Sequence, residues 1–206
     1  MDNNQGYKNR ALKDLEGNWG KSAIASLIVF IIAGGISTAV TAPMGNNLSL
    51  SYSTQGIWTL LCLPLEWGLT VFFLNLIRHE DIRYERLFDG YKDFVRVFLA
   101  SFLCQLAVTI GCILLIVPGI ILGLMFSQYA YILKDDPQIS ALDALMKSMK
   151  MMDGHKMELF WLYLSFIGWA ILALFTFGFG LLLLVPYVET TLAHFYEDLK
   201  AEQAFA

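Results

Sequence analysis

All fourteen Lys and Arg residues of the chain fall in polar segments that lie on one side of six apolar stretches, if each stretch is counted as one crossing of a membrane. The segments that emerge on the other side carry none. Cationic side chains are costly in hydrocarbon and are retained on the cytoplasmic face of short loops. The pattern therefore predicts a polytopic membrane protein with both termini in the cytoplasm.

The stretches run from Ser22 to Ala42, Ile57 to Ile77, Phe94 to Ile116, Val117 to Leu133, Leu159 to Phe175 and Leu181 to Tyr196. A helix rising about 1.5 Å per residue needs roughly 17 to 25 residues to cross a core of about 30 Å, and each stretch meets that length or nearly so. Lys8, Arg10, Lys13 and Lys21 precede the first; Arg78, Arg83, Arg86, Lys92 and Arg96 follow the second, Arg96 at the inner edge of the third. Lys134, Lys147, Lys150 and Lys156 separate the fourth from the fifth, and Lys200 follows the sixth. The connection Pro43 to Gly56, the Val117-Pro118-Gly119 turn and the Thr176 to Gly180 turn are uncharged. The expected fold is thus all-α: a single six-helix transmembrane domain over residues 1–206, arranged as three hairpins, with amphipathic helices on the cytoplasmic side.

Composition excludes several classes. A 206-residue chain that is 57% hydrophobic and 16% charged is too apolar for an ordinary soluble domain and too short for two. A net charge of −4 lacks the basic footprint that nucleic acid requires. Cys62, Cys104 and Cys112 lie inside predicted spans and are odd in number, so they read as packing residues and not as a disulfide framework. The first span follows a basic stretch, as a signal peptide would, but its length of about 20 residues marks it as a retained helix.

Each hairpin returns through a helix with a proline near its outer end, Pro64, Pro118 and Pro186. Pro118 reads as a first-turn proline, which removes a donor that has no partner anyway; Pro64 and Pro186 read as lying deeper, where proline kinks a span. Gly17-Asn18-Trp19-Gly20-Lys21, Gly90-Tyr91-Lys92 and Gly154-His155-Lys156 each stand just before an outgoing span. Their spacing fits a threefold internal repeat, and equally a shared preference of cytoplasmic approaches for a stop, a ring and a cation.

Two cytoplasmic segments show helical periodicity. Tyr84, Leu87, Phe88, Tyr91 and Val95 recur on one face of the first. In the second, Ile139, Leu142, Leu145, Met146, Met149 and Met152 form a stripe opposite Asp143, Lys147 and Lys150, with Asp136-Pro137 or Ser140 as its start. Such a stripe packs under the bundle, lies in the membrane surface, or offers an adaptable groove to a protein partner through Leu142, Leu145, Met146 and Met149.

The candidate binding site is a polar layer. Counted from the outer end of each span, Glu66, Gln105, Gln128 and Glu189 lie about 12 to 17 Å in, near the middle of a core of about 30 Å. Trp67 and Thr190 lie beside them, with Thr109, Ser127 and Thr191 close by. Carboxylates at that depth must be protonated, hydrogen-bonded or paired with a cation, and no Lys or Arg is there to pair. The layer reads either as a cavity for a polar or cationic group or as hydrogen bonds that tie helices together. Gly119 to Gly123 is a small-xxx-small pattern suited to a tight seam. No metal-ligand or cofactor motif appears: Gly20-Lys21-Ser22 lacks the earlier glycine of a phosphate loop, and His79-Glu80-Asp81 are adjacent residues that do not share a helix face.

The segments Val117-Pro118-Gly119-Ile120-Ile121, Ala130 to Pro137, Met151-Met152-Asp153-Gly154-His155-Lys156, Leu164 to Trp169 and Val185-Pro186-Tyr187 resemble the bacterial integral membrane family catalogued as domain of unknown function 975. Asn9-Arg10-Ala11-Leu12 and Gly17-Asn18-Trp19 are similar to its usual start. A weaker similarity runs to the membrane region of some glycerophosphodiester phosphodiesterases, outside their catalytic domain. The resemblance implies a bacterial cytoplasmic membrane location and no particular activity. The expected function is non-catalytic: binding or passing a hydrophobic or cationic small molecule, or a lipid, at the polar layer. The alternative is a scaffold or accessory subunit that docks a partner on the cytoplasmic face. An intramembrane enzyme with Glu66 and Glu189 as acid and base ranks below both.

Overall fold

The structure, a computed structural model, describes residues 2–44, 48–176 and 178–205. Residues 45–47 of the predicted first outer connection and residue 177 of the last outer turn lie outside the described residues. Every regular element among the described residues is helical. α1 (Asn4–Leu15) leads to α2 (Trp19–Phe30), which continues through a π-helical turn, Ile31–Ile36, into α3 (Ser37–Thr41). α4 (Leu48–Ile77) is followed by a 3₁₀ segment, Tyr84–Tyr91, then α5 (Phe94–Leu114), α6 (Ile116–Phe126), α7 (Tyr129–Asp135) and α8 (Ala141–Met151). α9 (Lys156–Leu164), α10 (Ile167–Phe175) and α11 (Leu181–Phe205) complete the chain.

Among the described residues, five helical stretches are long and apolar enough to cross a membrane: Trp19–Thr41, Ser49–Ile77, Phe94–Leu114, Ile116–Asp135 and Lys156–Phe175. α11 has 25 residues, but Glu189, Glu197 and Asp198 fall within its first eighteen. Large apolar side chains stand exposed along these helices, among them Phe30, Ile113, Leu114 and Phe175. Water would penalise such a surface, whereas hydrocarbon is its natural neighbour.

Several predicted boundaries are corrected. The second predicted span begins at Leu48, not Ile57, so the predicted loop residues from Leu48 to Gly56 are helical; among them Ser53 returns a hydrogen bond to Ser49 O in the preceding turn, as Thr59 does further along to Gln55 O. The predicted fourth and fifth spans are each interrupted, at Ser127-Gln128 and at Ser165-Phe166. The α5–α6 boundary falls at Leu115, whose extended backbone separates two helices in close contact. Pro118 lies in the first turn of α6, while Pro64 and Pro186 lie inside α4 and α11. The three approach segments do not match throughout. Gly17 and Gly154 both stop a helix at positive φ, but Gly90 lies within the 3₁₀ segment.

α4 and α11, the two helices with internal prolines, pack on each other at the centre. α1 and α2 lie against α11, and α5 and α7 against α4. Gly111 of α5 and Gly119 of α6 face each other so closely that a Cβ at Gly111 would stand 3.0 Å from the Gly119 Cα. This realises the tight seam expected at Gly119; Gly123, by contrast, has ordinary room, with its nearest atom 4.0 Å away.

Charged groups fasten the helices where they end. Arg78 donates to both carboxylate oxygens of Asp135, at 2.6 and 2.9 Å, and to Glu197 at 2.6 Å, tying α4 to α7 and α11. Tyr196 and Lys200 of α11 donate to the same Asp135. Arg96 of α5 donates to the carbonyl of Leu133 in the last turn of α7 and to those of Asp136 and Ile139 just beyond it. Arg10 of α1 holds Asp198 in a bidentate pair. Buried Lys8 reaches the carbonyl of Ser165 at 2.9 Å, in the break between α9 and α10, with its ammonium 4.3 Å from the Phe166 ring centroid. On the exposed loop, hydrogen bonding to Arg83 lowers the Asp81 carboxyl to about 2, so those ion pairs persist at neutral pH and are lost only as pH falls towards that value.

The 3₁₀ segment lies in contact with the Pro64 half of α4. Tyr91 donates to the Leu61 carbonyl at 2.8 Å beside the proline. A Cβ at Gly68 would collide with the Leu87 carbonyl, and one at Gly90 with the Pro64 carbonyl. Both obstacles are backbone, which cannot rotate away. Gly68→Ala should therefore destabilise the protein by about 1 to 3 kcal/mol, and Gly123→Ala by much less; the thermal midpoints of the two detergent-solubilised variants compare them directly.

Candidate functional site

α4 and α11 place their carboxylates just beyond their prolines: Glu66 follows Pro64 by two residues and Glu189 follows Pro186 by three. Both line a cavity of about 330 Å³. Its opposite wall is the α6–α7 break, Ser127 to Tyr131, and Tyr163 of α9 joins it. Trp67, Leu69, Thr70 and Leu192 complete the lining.

Of the residues expected in the polar layer, Glu66, Trp67, Ser127, Gln128 and Glu189 meet at this cavity. Gln105 and Thr109 are exposed on α5 and do not line it. Thr190 and Thr191 are buried beside it; Thr191 donates to Tyr187 O at 2.6 Å, whereas the Thr190 hydroxyl has no partner. α5 shows why depth alone misleads: a helix brings only part of its circumference to a given neighbour.

The break that forms the far wall is held by side chains. Ser127 donates to Leu124 O at 2.8 Å and accepts from Gln128 Nε2 at 2.8 Å. Ser148, fully buried on α8, donates to Met125 O at 2.8 Å and accepts from the Gln128 backbone N–H at 3.1 Å. One hydroxyl thus satisfies both sides of the interrupted helix. Trp67 Nε1 donates to Ala130 O at 3.0 Å across the cavity edge, and Tyr129 donates to Ser101 Oγ at 3.1 Å.

The carboxylates are nearly free. Glu189 accepts only a long contact from Thr70 at 3.4 Å, and Glu66, whose side chain is exposed, has no hydrogen-bond or ion-pair partner among the described residues. No Lys, Arg or His lines the cavity. His194 meets Asp14 at 2.7 Å and His155 meets Glu158 at 3.3 Å, both elsewhere. Among the described residues no group of three His, Cys, Asp or Glu side chains converges as a metal site would require.

Sequence reading missed Thr70, Tyr129, Tyr131, Tyr163 and Ser148. The tyrosines sit among other apolar residues and carry no spacing signal. Ser148 had one: it is a small polar residue on the same face as Ala141, Ala144 and Leu145. On α8 the predicted stripe divides. Leu145 is buried within the protein at 6% exposure, Met149 is half-buried, and Leu142 and Met146 stand out at 58% and 51%. Ser140 caps the helix by accepting from Asp143 N at 3.1 Å.

Residues 1–122 and 108–203 match the family described as Protein of unknown function (DUF975). The chain belongs to this family. No curated protein and no solved structure matches it. The family assignment agrees with the resemblance seen in the sequence and assigns the cavity no chemistry.

Ser148→Ala would leave the buried Gln128 amide and the Met125 carbonyl without their side-chain partner. The variant should lose about 1 to 3 kcal/mol of stability, and hydrogen exchange at the Gln128 amide should accelerate more than at amides in the middle of α4.

Proposed function

We propose that this DUF975 protein is a non-catalytic, six-crossing protein of the bacterial cytoplasmic membrane that binds or passes a hydrophobic or cationic small molecule, or a lipid, in the Glu66/Glu189 cavity. In this arrangement α11 supplies the sixth crossing, the spans pair as three hairpins, and the Lys- and Arg-bearing segments with both termini face the cytoplasm. The ion pairs of Arg78, Arg96 and Lys200 then lie together at the cytoplasmic helix ends, and the cavity lies within the membrane. The single observation that carries the reading is a cavity whose two carboxylates lack strong partners inside the protein. Interrupted or proline-bearing helices around a polar site are also what many transporters use.

Replacing both carboxylates by Gln keeps shape and removes charge. E66Q/E189Q should retain the circular dichroism and melting behaviour of the parent protein and lose the small molecule or lipid that co-purifies with it, as read by mass spectrometry. Equal retention in the double variant would remove the reading.

A second reading rests on α8, whose Leu142 and Met146 are exposed beyond the buried face that packs on the bundle. There the protein would be a scaffold or accessory subunit that docks a cytoplasmic partner. Crosslinking in native membranes should then yield a stoichiometric adduct that is lost in L142D/M146D, a pair that spares the buried Leu145. Recovery of the uncrosslinked chain alone would count against docking.

A further inference from the structure

The cavity has more to say about its occupant, because its hydrogen-bonding groups are unevenly used. Most of the donors that border it are already engaged within the protein. Trp67 Nε1 is given to Ala130 O, Ser127 Oγ to Leu124 O and the Tyr129 hydroxyl to Ser101 Oγ. Gln128 Nε2 is given to Ser127 Oγ. Because that hydroxyl spends its own proton on Leu124 O, it must accept from Gln128, and this fixes which end of the amide is which.

Apart from the Tyr131 and Tyr163 hydroxyls and the second Gln128 N–H, what is left over accepts. Gln128 Oε1 is buried without a hydrogen-bond partner, in a residue only 1% exposed. The Glu66 carboxylate has no partner among the described residues, and Glu189 has only the long contact from Thr70. Tyr131 and Tyr163 bring ring faces whose hydroxyls can turn either way. A site with two carboxylates, one amide oxygen and aromatic walls repels anions and leaves a pure acceptor unsatisfied. A divalent metal ion is also poorly served, since no third carboxylate, His or Cys converges among the described residues.

We propose that the cavity takes a protonated organic amine, whose ammonium donates to the Glu66 and Glu189 carboxylates and to Gln128 Oε1 while its carbon chain lies against the tyrosine rings. The proposal rests on the cavity being a binding site, as put forward above. An N–H-bearing ammonium fits better than a quaternary one, because only the former can satisfy Gln128. A volume of about 330 Å³ is near the lower end for ligand pockets, so it admits a small amine or the amino headgroup of a lipid, with any acyl chains left outside. Either source presents the same group.

The test uses the whole chain in nanodiscs of phosphatidylglycerol, which has no amine. Radiolabelled ethanolamine should bind saturably, and N-acetylethanolamine, its uncharged counterpart, at least about tenfold more weakly. E66Q/E189Q should lower ethanolamine affinity by at least about tenfold with unchanged melting, and Q128L should lower it by several-fold. If the double variant does not fold, Q128L and the uncharged probe decide the matter. In nanodiscs of equal phosphatidylethanolamine, phosphatidylcholine and phosphatidylglycerol, enrichment of the first in native mass spectra identifies a headgroup as the source. Ethanolamine binding without such enrichment identifies a free amine. Equal binding of the two soluble probes, or retention of a neutral or anionic molecule in the cavity, overturns the amine and leaves the cavity reading standing. Absence of any retained molecule together with absence of ethanolamine binding and of phosphatidylethanolamine enrichment overturns both.

Discussion

The structure depends on where guanidinium and ammonium groups find partners. Each helix end leaves carbonyls unbonded, and in a bundle this apolar the cheapest donors are long cationic side chains that reach from a neighbouring helix. Arg96 serves the end of α7, Arg78 joins α4 to Asp135 and Glu197, and Lys8 reaches the break at Ser165. The cations therefore tie neighbouring helix ends together, and in the proposed topology the same residues orient the chain. Replacing them with apolar groups would leave carboxylates and carbonyls stranded, Asp135 and Glu197 first among them.

The interior is organised by the opposite circumstance, backbone that cannot complete its own ladder. Pro64 and Pro186 each remove one helical donor, and the chain stops being helical at Ser127-Gln128 and Ser165-Phe166. The first of these breaks and the helical turns that follow both prolines line the cavity. Local irregularity opens space between helices that would otherwise close on each other, and the polar side chains nearby are those that either repair the backbone or are left facing the opening.

Much of this was legible in the residues. The apolar lengths and the placement of Lys and Arg predicted helices in the right places, and Glu66, Gln128 and Glu189 were picked out because polar groups in an apolar stretch demand a reason. The interruptions were not legible, since Ser127-Gln128 and Ser165-Phe166 contain no proline or glycine and are sustained by Ser148 and Lys8, far away in sequence. Gln105 was misjudged because depth along a helix says nothing about azimuth. The tight fit of the 3₁₀ segment on α4 was hidden because a glycine's closeness to another backbone leaves no mark in composition.

Ser148 has a further implication. Its hydroxyl is the rivet between α8 and the wall opposite Glu66 and Glu189, and a hydrogen bond does not survive a lateral shift of more than about an ångström. Anything that levered α8 sideways by its outer face would unfasten that wall at the same stroke. The surface bearing Leu142 and Met146 and the chamber behind it are therefore two ends of one mechanical linkage.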